Sequence, residues 1–241
     1  MDTNSEMHTH PNFYAMLTAA CQKNGKGTVI FNDKEKISYS SLKHEVETVA
    51  AYLQHEGVQY GDKVALVVSN SPEFIAAYFA ITSIGAVAVP LNVFLKSEEF
   101  SYILNDCDAH FMFASAPLAK ELKNIKAKTK VRKIIWIGET KAASGEDSYF
   151  DAARTFPGKP NLSRQPSVND LAHIIYTSGT TGHPKGALIS YSNLFSNLSG
   201  IEQIFQISSK DRCRLLAHVP QLYADRHGFA ADISSLLDYF G

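Results

Sequence analysis

The chain has 241 residues, 45% of them hydrophobic and 20% charged, with a formal net charge of −1. That length and composition build an ordinary core without metal or disulfide staples, and the small net charge excludes a broad field drawing nucleic acid or an anionic membrane. Cys21, Cys107 and Cys213 are too few and too far apart for a disulfide framework or a zinc site, so they read as reduced thiols of a cytoplasmic protein.

Residues 1–11 are polar, lack the basic-then-apolar order of a signal peptide, and read as a disordered leader. From Asn12 to Cys21, Phe13, Met16, Leu17 and Ala20 fall on one helical face. Thr28–Phe31 and Lys36–Tyr39 read as short strands around a turn at Asn32-Asp33. Ser40 is the expected N-cap of a helix running to Gln54, with Leu42, Val46, Val49, Ala50 and Leu53 as its apolar stripe and Gly57 as its stop.

An alternation of strand and helix follows. Strands are expected at Lys63–Val68, Ala86–Val89, His110–Ala114 and Lys133–Ile137, and helices at Pro72–Ile84, after a cap at Ser97, and at Ala116–Ala127. This order implies an α/β fold, a largely parallel sheet with helices on both faces. Lys141–Asp147 and Phe156–Asp170 read as surface loops, and Leu171–Tyr176, Gly186–Ser190 and Tyr191–Phe205 as strand, strand and helix. The uncharged run Phe74–Leu91 approaches the length of a membrane span. Gly85 and Pro90 interrupt it and Pro72 opens it as a helix start, so it reads as a buried helix followed by a buried strand, with no integral membrane segment.

The segment that carries chemistry is Tyr176-Thr177-Ser178-Gly179-Thr180-Thr181-Gly182-His183-Pro184-Lys185-Gly186. A polyphosphate needs many donors close together and a cation against its charge. Gly179, Gly182 and Gly186 allow close backbone approach, and successive backbone N–H groups then form an anion-binding concavity. Thr177, Ser178, Thr180 and Thr181 add hydroxyls, and Lys185 adds a compact charge on a flexible stem. The pattern is neither G-x-x-x-x-G-K-[ST] nor G-x-G-x-x-G. Its setting implies a loop between two strands, not one that opens a helix.

TSGTTGHPKG resembles the signature loop of the adenylate-forming superfamily, which includes acyl-CoA synthetases, firefly luciferases and peptide-synthetase adenylation domains. Ile174-Ile175-Tyr176 before it and Ala187–Asn193 after it suit the same family, and Tyr39–Leu42, Gly57-Val58, Gly61–Leu66, Asn70–Glu73, Gly85-Ala86 and Val89–Asn92 agree more loosely. The resemblance covers about Asn12 to Val219. It implies an incomplete N-terminal domain of the adenylate-forming fold over residues 12–241, and a two-step reaction: a carboxylate, expected to be a fatty acid, attacks the α-phosphate of Mg2+-bound ATP, and the thiol of CoA then displaces AMP. It further implies that Thr177, Ser178, Gly179, Thr180, Thr181, Gly182 and Lys185 bind the nucleotide phosphates, with Lys185 and Thr180 serving the chemistry, and that the loop is mobile before ATP binds. Partners are then a small carboxylic acid, ATP and CoA, with no nucleic acid.

After Pro220 the family pattern stops. Tyr223 falls where relatives resemble a histidine, and His218 and His227 are out of register. From about Gln221 the tail departs, and the family's adenine-binding, magnesium-binding and ribose-binding residues, its hinge and its C-terminal lysine domain have no counterpart. The expectation is a shortened product, inactive alone and marginally soluble, whose tail would fit a changed reading frame and whose expected partner is a complementing C-terminal fragment. The alternatives are a non-catalytic remnant with weak nucleotide binding and a peptide-synthetase adenylation domain. No metal site is expected: Asp106 and Asp108 around Cys107 read as a helix end and turn, His44-Glu45 fails H-E-x-x-H at Thr48, and the lysines from Lys120 to Lys133 read as a solvated face.

Overall fold

The computed structural model describes residues 10–31, 36–138, 146–177 and 183–205. Most of the expected leader, the turn at Asn32-Asp33, most of the loop at 141–147, Cys213 and the departing tail with Tyr223, His218 and His227 lie outside the described residues.

In chain order the elements are α1 (Phe13–Asn24), β1 (Thr28–Phe31), β2 (Lys36–Ser38), α2 (Tyr39–His55), β3 (Lys63–Val67), α3 (Pro72–Ser83), β4 (Val87–Pro90) and α4 (Ser97–Asp106). They continue with β5 (Phe111–Ser115), α5 (Ile125–Lys128), β6 (Lys133–Ile137), β7 (Asp147–Ser148), β8 (Leu171–Thr177), β9 (Lys185–Ser190) and α6 (Tyr191–Phe205). β1 and β2 form a separate antiparallel hairpin, and the other strands form one sheet in the order β7-β6-β5-β3-β4-β8-β9. Every neighbouring pair in that sheet is parallel except β8 and β9, which run antiparallel.

Alternation along the strands divides the core in two. Val64 and Leu66 of β3, with Phe111 and Phe113 of β5, face α1, α2, α3 and α6. Ala65 and Val67, with Met112 and Ala114, face α4, Leu122 and α5. Phe13 ties the first layer together, its ring lying 5.4–5.9 Å from those of Tyr78, Phe79, Tyr191 and Phe195. The expected largely parallel sheet with helices on both faces is thus the observed one.

Helix starts follow side-chain capping. Asn12, Ser38 and Ser71 accept from the backbone N–H three residues on, opening α1, α2 and α3. The cap of α2 is therefore Ser38, not Ser40: β2 runs to Ser38, and the Ser40 N–H is already bonded to the Gly25 carbonyl at 2.9 Å. Ser97 likewise is the first residue of α4 instead of its cap. The Glu99 carboxylate accepts from the Lys96 N–H at 2.8 Å, and Glu121 accepts from the Ser97 N–H at 2.7 Å.

The helix expected over 116–127 is broken into a 3-10 turn at Ala116–Leu118 and the single turn α5. Bonds of the i→i+3 kind replace the helical ladder at Ala119, Ile125 and Ala127, and in this stretch only Leu122 and Ile125 are buried to anchor it. β7 and the π-helical turn Tyr149–Ala153 were not read from the sequence. They are too short to carry a period, and partners on other elements hold them: Tyr52 and Lys133 on Asp147, and Glu45 on the Tyr149 hydroxyl at 2.7 Å. The run Phe74–Leu91 is the expected helix and strand. Gly85 turns between them at φ +72°, where a Cβ would sit 2.2 Å from the Tyr60 ring, so no side chain fits there. Among the described residues no helix is long and apolar enough to cross a membrane.

Candidate functional site

The loop singled out in the sequence joins β8 to β9. The two strands are in antiparallel register with Thr177 opposite Lys185, Tyr176 opposite Gly186 and Ile175 opposite Ala187. It is a strand–loop–strand, as the sequence implied. Thr177 and Lys185 stand at its two feet. Ser178, Gly179, Thr180, Thr181 and Gly182 lie outside the described residues.

β8 is held along its length. At its start Asp170 accepts from Tyr60 Oη at 2.7 Å and from the Ser167 N–H at 2.7 Å; the Tyr60 hydrogen bond leads in holding its carboxyl below the ordinary carboxylate range. A register shift between Leu171 and His173 then sets the alternation, so His173 and Ile175 face the α3 side while Ile174 and Tyr176 face the α4 side. His173 is fully buried, 2.9 Å from Tyr78 Oη, and burial pushes its pKa down to about 3. It stays neutral at physiological pH. No local signal singles out this histidine, because an imidazole in a strand interior looks like any polar interruption.

The loop's feet rest on α4. Tyr176 Oη donates to the Asp106 carboxylate. Burial, with the Asp106 hydrogen bond second, pushes the phenol above its ordinary pKa, which keeps it a donor. The His183 ring stacks on Tyr102, centroids 4.9 Å apart and planes 20° apart. A Cβ at Gly186 would meet Ile174 Cγ2 at 2.9 Å and Tyr176 Cζ at 3.0 Å, so this glycine lets β9 lie close against the Tyr176 ring. Lys185 is exposed and makes no ion pair with the described residues. A free ammonium at the foot of a hydroxyl-rich loop suits an incoming anion.

The other candidates are structural. Asp106 ends α4, Cys107 caps it and Asp108 takes φ +57° in the turn, as expected. Cys107 is buried, and desolvation raises its thiol to about 11, which leaves it a poor nucleophile. In the basic stretch, Lys126, Lys128, Lys130 and Lys133 are each paired with a carboxylate. Among the described residues no group of three or more His, Cys, Asp or Glu could hold a metal ion.

A parallel sheet that ends in an antiparallel pair around a polar, glycine-bearing loop defines an α/β domain of the adenylate-forming type. The model of the AMP-binding enzyme family matches residues 17–224, and the chain belongs to that family. It is 33% identical over 209 residues to the crotonobetaine/carnitine–CoA ligase of Salmonella typhi, which is 83% of this chain and 40% of that protein. The inhibitor-bound N-terminal domain of FACL13 from Mycobacterium tuberculosis superposes with a TM-score of 0.80 at 26% identity, over 95% of this chain and 56% of that one. Apo MatB from Rhodopseudomonas palustris gives a TM-score of 0.77 at 27% identity, over 95% and 43%. The chain spans about 40% of the length of the curated relatives it matches, and its sheet is that of the family's N-terminal domain.

Proposed function

We propose that this chain supplies the ATP-phosphate loop for activation of a carboxylic acid and its transfer to CoA. In the first step a carboxylate oxygen bonds to the α-phosphorus of Mg2+-bound ATP, and the bond to pyrophosphate breaks. In the second the CoA thiol, losing its proton, bonds to the acyl carbon and AMP leaves. These steps ask the protein for position and charge stabilisation more than for covalent chemistry. Thr177, Ser178, Gly179, Thr180, Thr181 and Gly182 offer hydroxyl and backbone donors to the β- and γ-phosphates, and Lys185 offers the counter-charge, with Thr180 and Lys185 closest to the chemistry. Magnesium enters with the nucleotide, whose own phosphate oxygens are hard ligands for it.

The observation that carries this reading is the register of Thr177 against Lys185 at the two feet of the loop. CoA as the thiol is supported by the relatives named as CoA ligases, which favours this reading over a peptide-synthetase adenylation domain. For the acid we propose a fatty acyl chain. Relatives named for crotonobetaine/carnitine and for anthranilate set the other acids to be tried. We place the reaction in the cytoplasm.

Calorimetric titration with Mg-ATP tests the loop. Lys185→Ala is expected to weaken binding at least about tenfold, the scale of a lost charge-assisted hydrogen bond. No binding by the unsubstituted chain would overturn the reading. Acid-dependent exchange of labelled pyrophosphate into ATP then tests turnover. Binding without exchange would mark this polypeptide as non-catalytic by itself, and exchange restored by a C-terminal polypeptide of the family would show complementation.

A further inference from the structure

We propose that Tyr102 and Asp106 on α4 form a two-point clamp that positions both feet of the phosphate loop, through His183 and Tyr176. This rests on the reading of that loop as the ATP-phosphate site, and it adds positioning residues that no part of the loop motif contains.

The geometry is specific. Tyr102 and Asp106 are four residues apart on one helix, so their side chains lie one above the other on the same face. Tyr176 is the residue before the β8 foot and His183 is the second before the β9 foot. Asp106 takes the first by a hydrogen bond and Tyr102 takes the second by a ring stack. One rigid helix thus holds a point on each side of the loop.

α4 itself is fixed. Phe100, Ile103 and Leu104 are at most 1% exposed beneath the sheet, while Glu121 and Glu99 tie its first turn. Asp106 is exposed and is not consumed by a lysine: Lys130 pairs with Asp108 instead. The Tyr176 ring in turn lies close against Gly186, so the clamp on one foot also restrains the backbone of the other. Fixing the two ends from which the loop springs before the phosphates arrive lowers the ordering cost of binding.

The test uses the full chain with Mg-ATP titration, amide hydrogen exchange and thermal melting. Asp106→Ala, Tyr176→Phe and Tyr102→Ala are each expected to weaken Mg-ATP binding by about threefold to tenfold, with Asp106→Ala/Tyr176→Phe no weaker than the worse single variant, as for partners in one contact. Asp106→Asn, which still accepts from the phenol, and Tyr102→Phe, which still stacks, are expected to restore binding to within about twofold, a recovery that a purely structural role of either side chain would not require. Exchange at the amides of residues 176, 177, 185 and 186 is expected to rise in the Ala variants, with β3 and β5 unchanged.

Multiplicative effects in the double variant, failed rescue, or unchanged exchange at the loop's feet would each overturn the clamp. If the unsubstituted chain binds no Mg-ATP, the phosphate reading fails, and the exchange pattern by itself still decides whether α4 holds the loop.

Discussion

β3 and β9 are written in almost the same letters. Lys63-Val64-Ala65-Leu66-Val67 sits in the middle of the sheet with its last four residues buried, whereas Lys185-Gly186-Ala187-Leu188-Ile189 has its first four exposed. Leu66 is fully buried between β4 and β5, and Leu188 is 61% exposed on a strand whose one neighbour among the described residues is β8. Local preference made both into strands. Topology decided that one would be core and the other an open support for a loop. The two runs differ at two places, a conservative Val67/Ile189 and Val64/Gly186, and the glycine is the position at which β9 must approach the Tyr176 ring.

The sharpest way to break this comparison is to truncate the matching leucines. Leu66→Ala is expected to cost about 2–5 kcal/mol, the scale for a buried leucine, and Leu188→Ala less than about 0.5 kcal/mol, both read from denaturant unfolding. Equal losses would mean that β9 is covered as β3 is.

Next in size is the pH dependence set by His173, which lies in the buried middle of β8. Its pKa in the folded chain is about 3, against about 6.5 when unfolded. The unfolded state therefore binds the proton first. Stability is full above about pH 6.5 and falls by about 1.4 kcal/mol for each pH unit down toward 3. His173→Asn is expected to flatten the slope between about pH 6.5 and 4.5. Below that range the carboxylates with lowered pKa values, Glu47, Asp147 and Asp170, lose their contribution as they protonate, so acid sensitivity there survives the substitution. An unchanged slope in the upper range would show that His173 is not buried neutral.

A smaller effect separates the two feet of the loop from the wet face of the basic stretch. Gly186→Ala forces Ile174 and Tyr176 to shift by a few tenths of an ångström and is expected to cost about 1–2 kcal/mol, a modest case of overpacking, together with weaker Mg-ATP binding. Lys128→Ala removes an exposed pair with Glu98 and is expected to change stability by less than about 0.5 kcal/mol and binding not at all. Loss of nucleotide affinity in Lys128→Ala alone would move the anion site from the loop to the basic surface.

Most of the fold was legible because its carriers are local. Helical spacing at Phe13, Met16, Leu17 and Ala20, the Ser71-Pro72 start of α3 and the apolar runs at β3, β5 and β6 each announce themselves within a few residues. The segments that escaped, β7 and the turn at Tyr149–Ala153, are shorter than any period, and partners roughly a hundred residues away hold them: Tyr52 is 95 residues from Asp147 and Glu45 is 104 from Tyr149. The broken stretch at 116–127 misled because its lysines mimic the wet face of a helix while too few of its apolar residues reach the core.

By itself the sequence determined the order of strands and helices, the family, and the loop with Thr177 and Lys185 at its ends, since spacing, turn chemistry and donor content are properties of neighbouring residues. Tertiary structure alone decided that β8 sits inside the sheet with β9 at its edge among the described residues, that His173 is sealed and neutral, and that Tyr102 and Asp106 meet His183 and Tyr176. Each of these depends on residues brought together across 70 or more positions, as Asp106 and Tyr176 are. No local pattern records such a meeting, because its free energy comes from packing and solvent exclusion that exist only once the sheet is assembled.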